Sequence, residues 1–155
     1  MPPLRTILVP HDFSSHAQAA WARAEQLAWV SRATLHLLHV VHTPFLHALT
    51  PLGVVPFSMG PVVIEAASRT AHESLQWLAD RSNCKVEVHV LEGPASYWIC
   101  AHAERIGADL IVMGSSGRRG LARALLGSVT ERTQRCAPCP VLVVPACSKG
   151  VEWDE

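Results

Sequence analysis

The chain has 155 residues, with 13 basic and 13 acidic side chains, so its formal net charge is zero. Hydrophobic residues make up 49% and charged residues 17%, a balance that excludes a disordered or highly charged chain. We expect one domain at this length. A broad nucleic-acid-binding surface needs a basic excess, so we predict no nucleic-acid partner.

An uncharged run extends from Ala33 to Ile64, which contain no Asp, Glu, Lys or Arg between them. An apolar run of about 20 residues can span a membrane. This one is interrupted by four prolines and four histidines, so we predict no membrane segment. The apolar run Thr6–Pro10 is too short for a secretory signal, and we therefore expect a cytoplasmic protein.

The hydrophobic pattern predicts strands that alternate with helices. The predicted strands are Leu4–Pro10, Ala33–Val41, Cys84–Leu91, Asp109–Met113 and Pro140–Val144. The predicted helices are one that follows the cap residue Ser14, then Pro61–Ser82, Ala95–Ile106 with Gly107 as its C-terminal cap, and Ser128–Arg135. This order favours an α/β fold, a single doubly wound and mainly parallel five-stranded sheet with helices on both faces. The polar alternation of the third strand predicts a place near a sheet edge.

The remaining segments are assigned to loops. Residues 43–60 are punctuated by proline and glycine and are predicted to form a long loop inserted in a domain that spans residues 1–146. Such a loop in a compact domain is functional or covers something. Residues 147–155 are predicted to form a polar tail.

The loop after the fourth strand is the first candidate for ligand binding, because such sheets bind ligands beyond the carboxyl ends of their strands. It carries glycines, which permit close backbone approach, together with serines and arginines. Ser128–Thr130 would form the first helical turn after it, where free N–H groups and the helix dipole favour phosphate. Asp12, after the first strand, can accept hydrogen bonds from ribose. These residues together predict a nucleotide site.

Plainer interpretations of the same residues remain open. A Gly/Ser loop with arginines can be a solvated connection, and Asp12 can be a helix cap. The chain contains neither GxxxxGK[ST] nor GxGxxG after its first strand, which excludes a Walker-A loop and the dinucleotide fingerprint.

A longer motif is more specific. Gly114-Ser-Ser-Gly117, then nine residues, then Gly127-Ser128 fits G-x2-G-x9-G-[ST] and resembles the nucleotide-binding signature of the universal stress protein family. The resemblance covers most of the chain and includes Ile7–Ser14, Leu38–Val41, Gly93, Ala108–Ser115 and Cys139–Val144.

The resemblance implies a Rossmann-like sheet with strand order 3-2-1-4-5 that binds ATP, with Mg²⁺ or Mn²⁺ held mainly by the phosphates. It implies that adenine and ribose lie near Pro10, Asp12, Val40 and Met113. It implies a phosphate site made of Gly114, Ser116, Gly117, Arg118, Gly127, Ser128, Val129 and Thr130. Ser116 stands where many members have histidine, and His11 where many have a small or apolar residue. Members usually dimerise through the last strand, here Pro140–Val144.

Three functions are compatible with these residues. The first is an ATP-binding sensor or switch of a stress response, with slow or no hydrolysis, because no general base is recognised beside a Mg²⁺ site. The second is an ATP hydrolase or phosphotransferase in which Arg118 or Arg119 stabilises phosphoryl charge. The third is a nucleotide-free interaction module that uses loop 43–60. We predict no catalytic residue, and the protein partner is not identified.

The cysteines and histidines predict no further chemistry. Five cysteines without a secretory signal argue against a disulfide framework, so we expect thiols. Cys136-Ala-Pro-Cys139 ends a helix, whereas a redox CxxC begins one, and no second pair completes a zinc site. His36, His39 and His42 alternate between strand faces, so we predict no metal site among them. His39 is expected to be packed and hydrogen-bonded.

Overall fold

The computed structural model describes residues 3–42, 46–50, 53–57, 60–116 and 126–146. The strands in these ranges are β1 (Thr6–Pro10), β2 (Thr34–Val41), β3 (Leu46–Thr50), β4 (Gly53–Phe57), β5 (Val86–Glu92), β6 (Leu110–Gly114) and β7 (Val141–Val144). The helices are α1 (Ser15–Ser31), α2 (Pro61–Ala79), α3 (Ala95–Ile106) and α4 (Ser128–Cys136).

The main sheet consists of five parallel strands in the order β5-β2-β1-β6-β7. Numbered along the chain, those five strands give 3-2-1-4-5, which confirms the predicted fold class and strand order. β1 lies at the centre, and Ile7–Pro10 are buried because helices cover both of its faces. β5 lies at one edge, as its polar alternation predicts. The winding reverses between β1 and β6, which makes this the expected ligand-binding crevice.

The first face of the sheet is covered by α1 and α2. Ser14 caps α1, since its hydroxyl oxygen accepts from the N–H of Ala17 at 3.1 Å. Small buried residues on α1 let this helix approach the sheet closely, namely Ala17, Ala20, Ala24 and Ala28. Ala20, Ala24 and Ala28 pack with Trp21 of α1 and Leu75 of α2 into one apolar core.

The second face is covered by α3, with α4 alongside it. Ile99 and Ala103 of α3 pack on a second apolar core that contains Leu8, Leu38 and Met113. α3 ends at Gly107, whose φ of 60° is the left-handed cap that the sequence predicts.

The segment predicted to be a long loop contains regular structure. β3 and β4 form an antiparallel hairpin in which Leu46 pairs with Phe57 and Thr50 pairs with Gly53. The expectation of a loop over 43–60 is therefore wrong for these residues. The uncharged run thus comprises β2, this hairpin and the start of α2, and no helix among the described residues is long and apolar enough to cross a membrane.

The expectation of free thiols is also wrong for two cysteines. Cys100 of α3 and Cys136 of α4 form a disulfide whose partners are 36 residues apart, while Cys84 and Cys139 are free. Cys136 pairs with a distant residue and not with its CxxC neighbour, because the packing of α4 along α3 brings Cys100 beside it. The bond closes a loop that runs from the middle of α3 through β6 to the end of α4.

We predict that replacing both bridged cysteines by serine lowers the free energy of unfolding by about 3–4 kcal/mol. The loop closed by a bond between residues 36 positions apart loses that much denatured-state entropy. Denaturant unfolding of the wild type and of Cys100→Ser/Cys136→Ser, each with and without reductant, measures the difference. Reductant should lower the wild-type midpoint and leave the double variant unchanged. An insensitive wild type would contradict the prediction.

Candidate functional site

The loop after β1 forms one wall of the candidate site. His11 extends the pairing of β1 with β2, because its backbone N–H donates to the carbonyl oxygen of Leu38 at 2.8 Å. Phe13 has a φ of 64°, a left-handed conformation that is uncommon for a bulky residue. The chain therefore turns sharply between β1 and α1, and backbone strain of this kind concentrates at functional sites.

Asp12 is held by the first residues that lead into α1. Its Oδ1 atom accepts from the N–H of Ser14 at 3.1 Å and from the Ser14 hydroxyl at 2.5 Å. Asp12 is only partly buried, so the carboxylate also remains accessible. The two interpretations of Asp12, a residue that supports the helix cap and a ligand for a sugar, are therefore compatible.

His11 and His39 pack under this loop. The Nδ1–H group of His39 donates to the carbonyl oxygen of His11 at 2.7 Å, as expected for a packed, hydrogen-bonded histidine. The Phe13 ring lies between them, with centroid distances of 5.2 Å to His11 and 4.8 Å to His39. Burial lowers the pKa of His11 to about 4. His11 is therefore neutral at physiological pH and serves as a packing group.

An open cavity of about 460 Å³ adjoins the same loop between α1 and α2. Its lining consists of His11, Phe13, Gln18, Glu73, Ser74, Trp77 and Leu78. The predicted nucleotide-binding residues are not among them. The cavity therefore shares the loop after β1 with the candidate site but contains none of the predicted nucleotide-binding residues.

The two ends of the glycine-rich stretch meet at the carboxyl end of β6. The N–H of Gly127 donates to the carbonyl oxygen of Ser115 at 2.8 Å. The Thr130 hydroxyl donates to the carbonyl oxygen of Gly114 at 2.9 Å. The N–H of Ser115 donates to the carbonyl oxygen of Val144 at 3.0 Å. These bonds attach the start of α4 to the ends of β6 and β7, so the flanks of the motif form one unit.

Gly114 allows α1 to lie directly against the end of β6. A Cβ atom added to Gly114 would lie 2.7 Å from the backbone carbonyl carbon of His16 and 2.8 Å from its Cβ. The Nδ1 atom of His16 lies 3.1 Å from the Ser115 hydroxyl oxygen and accepts from the N–H of Ala146 at 3.3 Å. This histidine was missed in the sequence because a single His in the first turn of a helix has no distinguishing pattern.

The first turn of α4 has no side-chain cap. Gly127 is the cap residue, and within the described part of the chain no side chain accepts a hydrogen bond there. The first N–H groups of a helix have no acceptor within it, and with the helix dipole they favour an anion. Ser128 and Val129 are exposed, whereas Thr130 is buried and already donates its hydroxyl hydrogen to Gly114. The backbone of this turn is therefore its main anion-binding feature.

Most of the residues predicted for the site lie at one edge of the sheet. Pro10 ends β1, Val40 lies near the end of β2, and Met113 precedes Gly114 at the end of β6. Val40 and Met113 belong to the same apolar cluster, which gives this edge an apolar floor. Two further residues predicted for the site, Asp12 and Ser116, follow the ends of β1 and β6, and the start of α4 carries Gly127, Ser128, Val129 and Thr130. Gly117 and Arg118 lie outside the described residues.

Comparisons with known proteins identify the same family over nearly the whole chain. A family model described as "Universal stress protein family" matches residues 3–145. The chain is 34% identical over 144 residues to Universal stress protein MJ0531 of Methanocaldococcus jannaschii, an alignment that covers 90% of this chain and 81% of that protein. It is 34% identical over 141 residues to Universal stress protein Sll1654 of Synechocystis sp., covering 91% and 85%.

Solved structures of universal stress proteins also superpose on this chain. UspA from Lactobacillus plantarum superposes with a TM-score of 0.75 at 28% identity, covering 93% of this chain and 99% of that one. A universal stress protein in complex with cAMP superposes with a TM-score of 0.64 at 26% identity, covering 94% and 99%.

We predict that Gly114→Ala destabilises the protein by about 1–3 kcal/mol, because the new methyl group meets the backbone of α1 and forces the helix away from β6. Denaturant unfolding measures the loss. Gly60→Ala is the matched control, since a Cβ atom there meets nothing within 4 Å. Equal losses in the two variants would show that the contact with His16 is not the cause.

Proposed function

Because the chain belongs to the universal stress protein family, we propose that it binds ATP and acts as a nucleotide-dependent sensor or switch in a stress response. One observation carries the nucleotide assignment. The uncapped first turn of α4 is hydrogen-bonded to the glycine-bearing end of β6, where the winding of the sheet reverses. The proposed location is the cytoplasm, which subcellular fractionation would check.

In this proposal the ligand lies along the carboxyl edge of the sheet. The adenine contacts the apolar floor at Val40 and Met113, and the ribose meets Asp12 beside Pro10. The phosphates face the first turn of α4 and the glycine-rich stretch. The proposed phosphate residues are Gly114, Ser116, Gly117, Arg118, Gly127, Ser128, Val129 and Thr130.

Two arguments support a phosphorylated adenine nucleotide as the ligand. A relative that is 26% identical has been solved in complex with cAMP, which contains an adenine, a ribose and a phosphate. The chain between positions 105 and 135 also carries six arginines against two acidic residues, although the net charge of the whole chain is zero. A local positive excess favours polyphosphate, and Mg²⁺ or Mn²⁺ bound mainly by the phosphates would complete the complex.

Slow or absent hydrolysis is the second part of the proposal. The Oδ1 atom of Asp12 accepts two hydrogen bonds from Ser14, so this oxygen already holds the loop that leads into α1. We therefore assign Asp12 to the sugar and to the loop, and not to the activation of water. ATP that is not hydrolysed remains bound, and this suits a switch in which the ATP-bound state is the signal.

We predict that Ser128→Asp weakens ATP binding at least about tenfold, since it places a negative charge beside the phosphates. The fold should be preserved because an acidic residue in the first turn of a helix is stabilising. Ser128→Asn is the matched control of similar size without charge, and it should bind within about threefold of the wild type. Isothermal titration with Mg·ATP measures all three proteins.

Titration with adenosine distinguishes repulsion between the introduced carboxylate and the phosphates from a general disturbance of the site by the Ser128→Asp substitution. Adenosine lacks phosphates, so its affinity should be equal in Ser128→Asp and Ser128→Asn. Equal affinity of the two variants for ATP would overturn the phosphate assignment. A wild type that binds no ATP would overturn the nucleotide proposal and favour an interaction module.

We also propose a homodimer formed through the last strand, Pro140–Val144. β7 pairs with β6 on one side and ends the sheet, so its other edge can accept a second strand. Leu142 on β7 is 37% exposed, which is consistent with an apolar contact there.

We predict that Leu142→Lys converts the dimer to a monomer, because a charge at the centre of the strand edge opposes pairing with a second copy. Sedimentation velocity measures the oligomeric state. The control is Val62→Lys on α2, which adds the same charge at a position that is 77% exposed. A monomeric wild type, or a dimer that survives Leu142→Lys, would contradict this interface.

A further inference from the structure

Three histidines from three different elements converge on the α3 side of the sheet. His36 lies on β2, His89 on β5 and His102 on α3, and one ring nitrogen from each lies within 4.8 Å of the other two. The parallel register of β2 and β5 pairs His36 with Glu87 and Leu38 with His89. His36 shares the face of Leu38, which packs beneath α3, so the three rings meet between the sheet and this helix.

The three rings contact one another directly. The centroids of His36 and His89 are 5.3 Å apart with an angle of 8° between the planes, and His89 lies 4.4 Å from His102. The Nδ1 atom of His36 lies 3.1 Å from the Nε2 atom of His89. One of these two nitrogens carries the shared proton and the other offers a lone pair.

His102 carries an unpartnered polar atom inside the protein. It is 2% exposed, and its buried Nε2 atom has no hydrogen-bond partner among the residues that the structure describes. The Nδ1 atom accepts from the Arg105 guanidinium at 2.7 Å, since a guanidinium only donates. The proton of the neutral ring is therefore on Nε2, and an unpaired donor of this kind in the interior is unfavourable.

The charge state of the cluster is compatible with a cation. Burial lowers the pKa of His36 and His89, and it lowers the pKa of His102 to about 4. The carboxylate of Glu87 lies 3.8 Å from the Nδ1 atom of His36. Neutral imidazoles with a carboxylate at their edge form the nitrogen-rich environment that Zn²⁺ and its neighbours in the first transition row select.

We propose that His36, His89 and His102 form a binding site for a divalent transition-metal ion of the Zn²⁺ class, with one imidazole nitrogen from each residue. Tetrahedral coordination with bonds of about 2.0–2.1 Å needs ligand nitrogens about 3.4 Å apart, so the rings draw together when the ion enters. His89, which is partly exposed, has room for that movement. The fourth position is left to water.

Arg105 controls entry of the ion. A metal on either nitrogen of His102 is incompatible with the hydrogen bond from Arg105 to Nδ1. Coordination at Nε2 moves the ring proton to Nδ1, which can then no longer accept that bond. Coordination at Nδ1 uses the lone pair that accepts it. Arg105 must therefore swing away, which its exposed position on α3 permits. Its positive charge also opposes the cation. Arg105→Gln removes that charge and supplies an amide oxygen that can accept from an Nδ1–H group.

The test uses the full chain, stripped with a chelator and then titrated with Zn²⁺ by calorimetry and with Co²⁺ by visible absorption. We expect one ion per chain and a Co²⁺ spectrum typical of nitrogen and oxygen ligands, without a thiolate charge-transfer band. His89→Asn should weaken Zn²⁺ binding at least about tenfold, and Arg105→Gln should tighten it about tenfold. His72→Asn, at an exposed position on α2, is the matched control and should leave binding unchanged.

Arg105→Gln keeps the proposal testable even if the histidine variant folds poorly, because it changes an exposed side chain outside the core. A wild type that binds no ion, or a thiolate band in the Co²⁺ spectrum, would overturn the proposal. So would an Arg105→Gln variant with unchanged or weaker affinity, or a His89→Asn variant that binds Zn²⁺ as the wild type does. In those cases the three rings form a packed aromatic cluster only.

Discussion

The pairing of β1 with β2 on one side and β6 on the other determines where this protein can bind a ligand. β1 is buried along its length, and both neighbours run parallel to it, so three carboxyl ends open at the same edge. These pairings therefore place three segments together at that edge, namely the loop from His11 to Ser14, the end of β2 and the end of β6. Because the winding reverses between β1 and β6, the helices that follow these two strands lie on opposite faces of the sheet, the arrangement in which such sheets form a ligand-binding crevice.

The crevice is stabilised mainly by backbone contacts, and these tolerate few substitutions. Thr130 and Gly127 bond the start of α4 to the end of β6, and Gly114 leaves space for the backbone of α1. Net charge is uninformative here, since a chain with balanced charges still carries an arginine-rich segment around the glycine motif.

The sequence predicted the parallel sheet, its helices and two caps, because apolar periodicity and residues such as Ser14 and Gly107 act locally. It did not predict the hairpin of β3 and β4, since Pro56 within a strand argues against one. The disulfide and the histidine cluster were also missed. Cys100 and Cys136 meet only through helix packing, and His36, His89 and His102 come from three separate elements, so no local spacing links them.

The bond between Cys100 and Cys136 has a mechanical consequence. It joins two helices covalently, and each of them carries part of a different proposed site. The first turn of α4 faces the crevice, while Cys100 lies two positions before His102 on α3. A rotation or shift of α4 relative to β6 therefore also displaces α3, and the two helices move together for as long as the disulfide is intact. Reduction would release them to move separately.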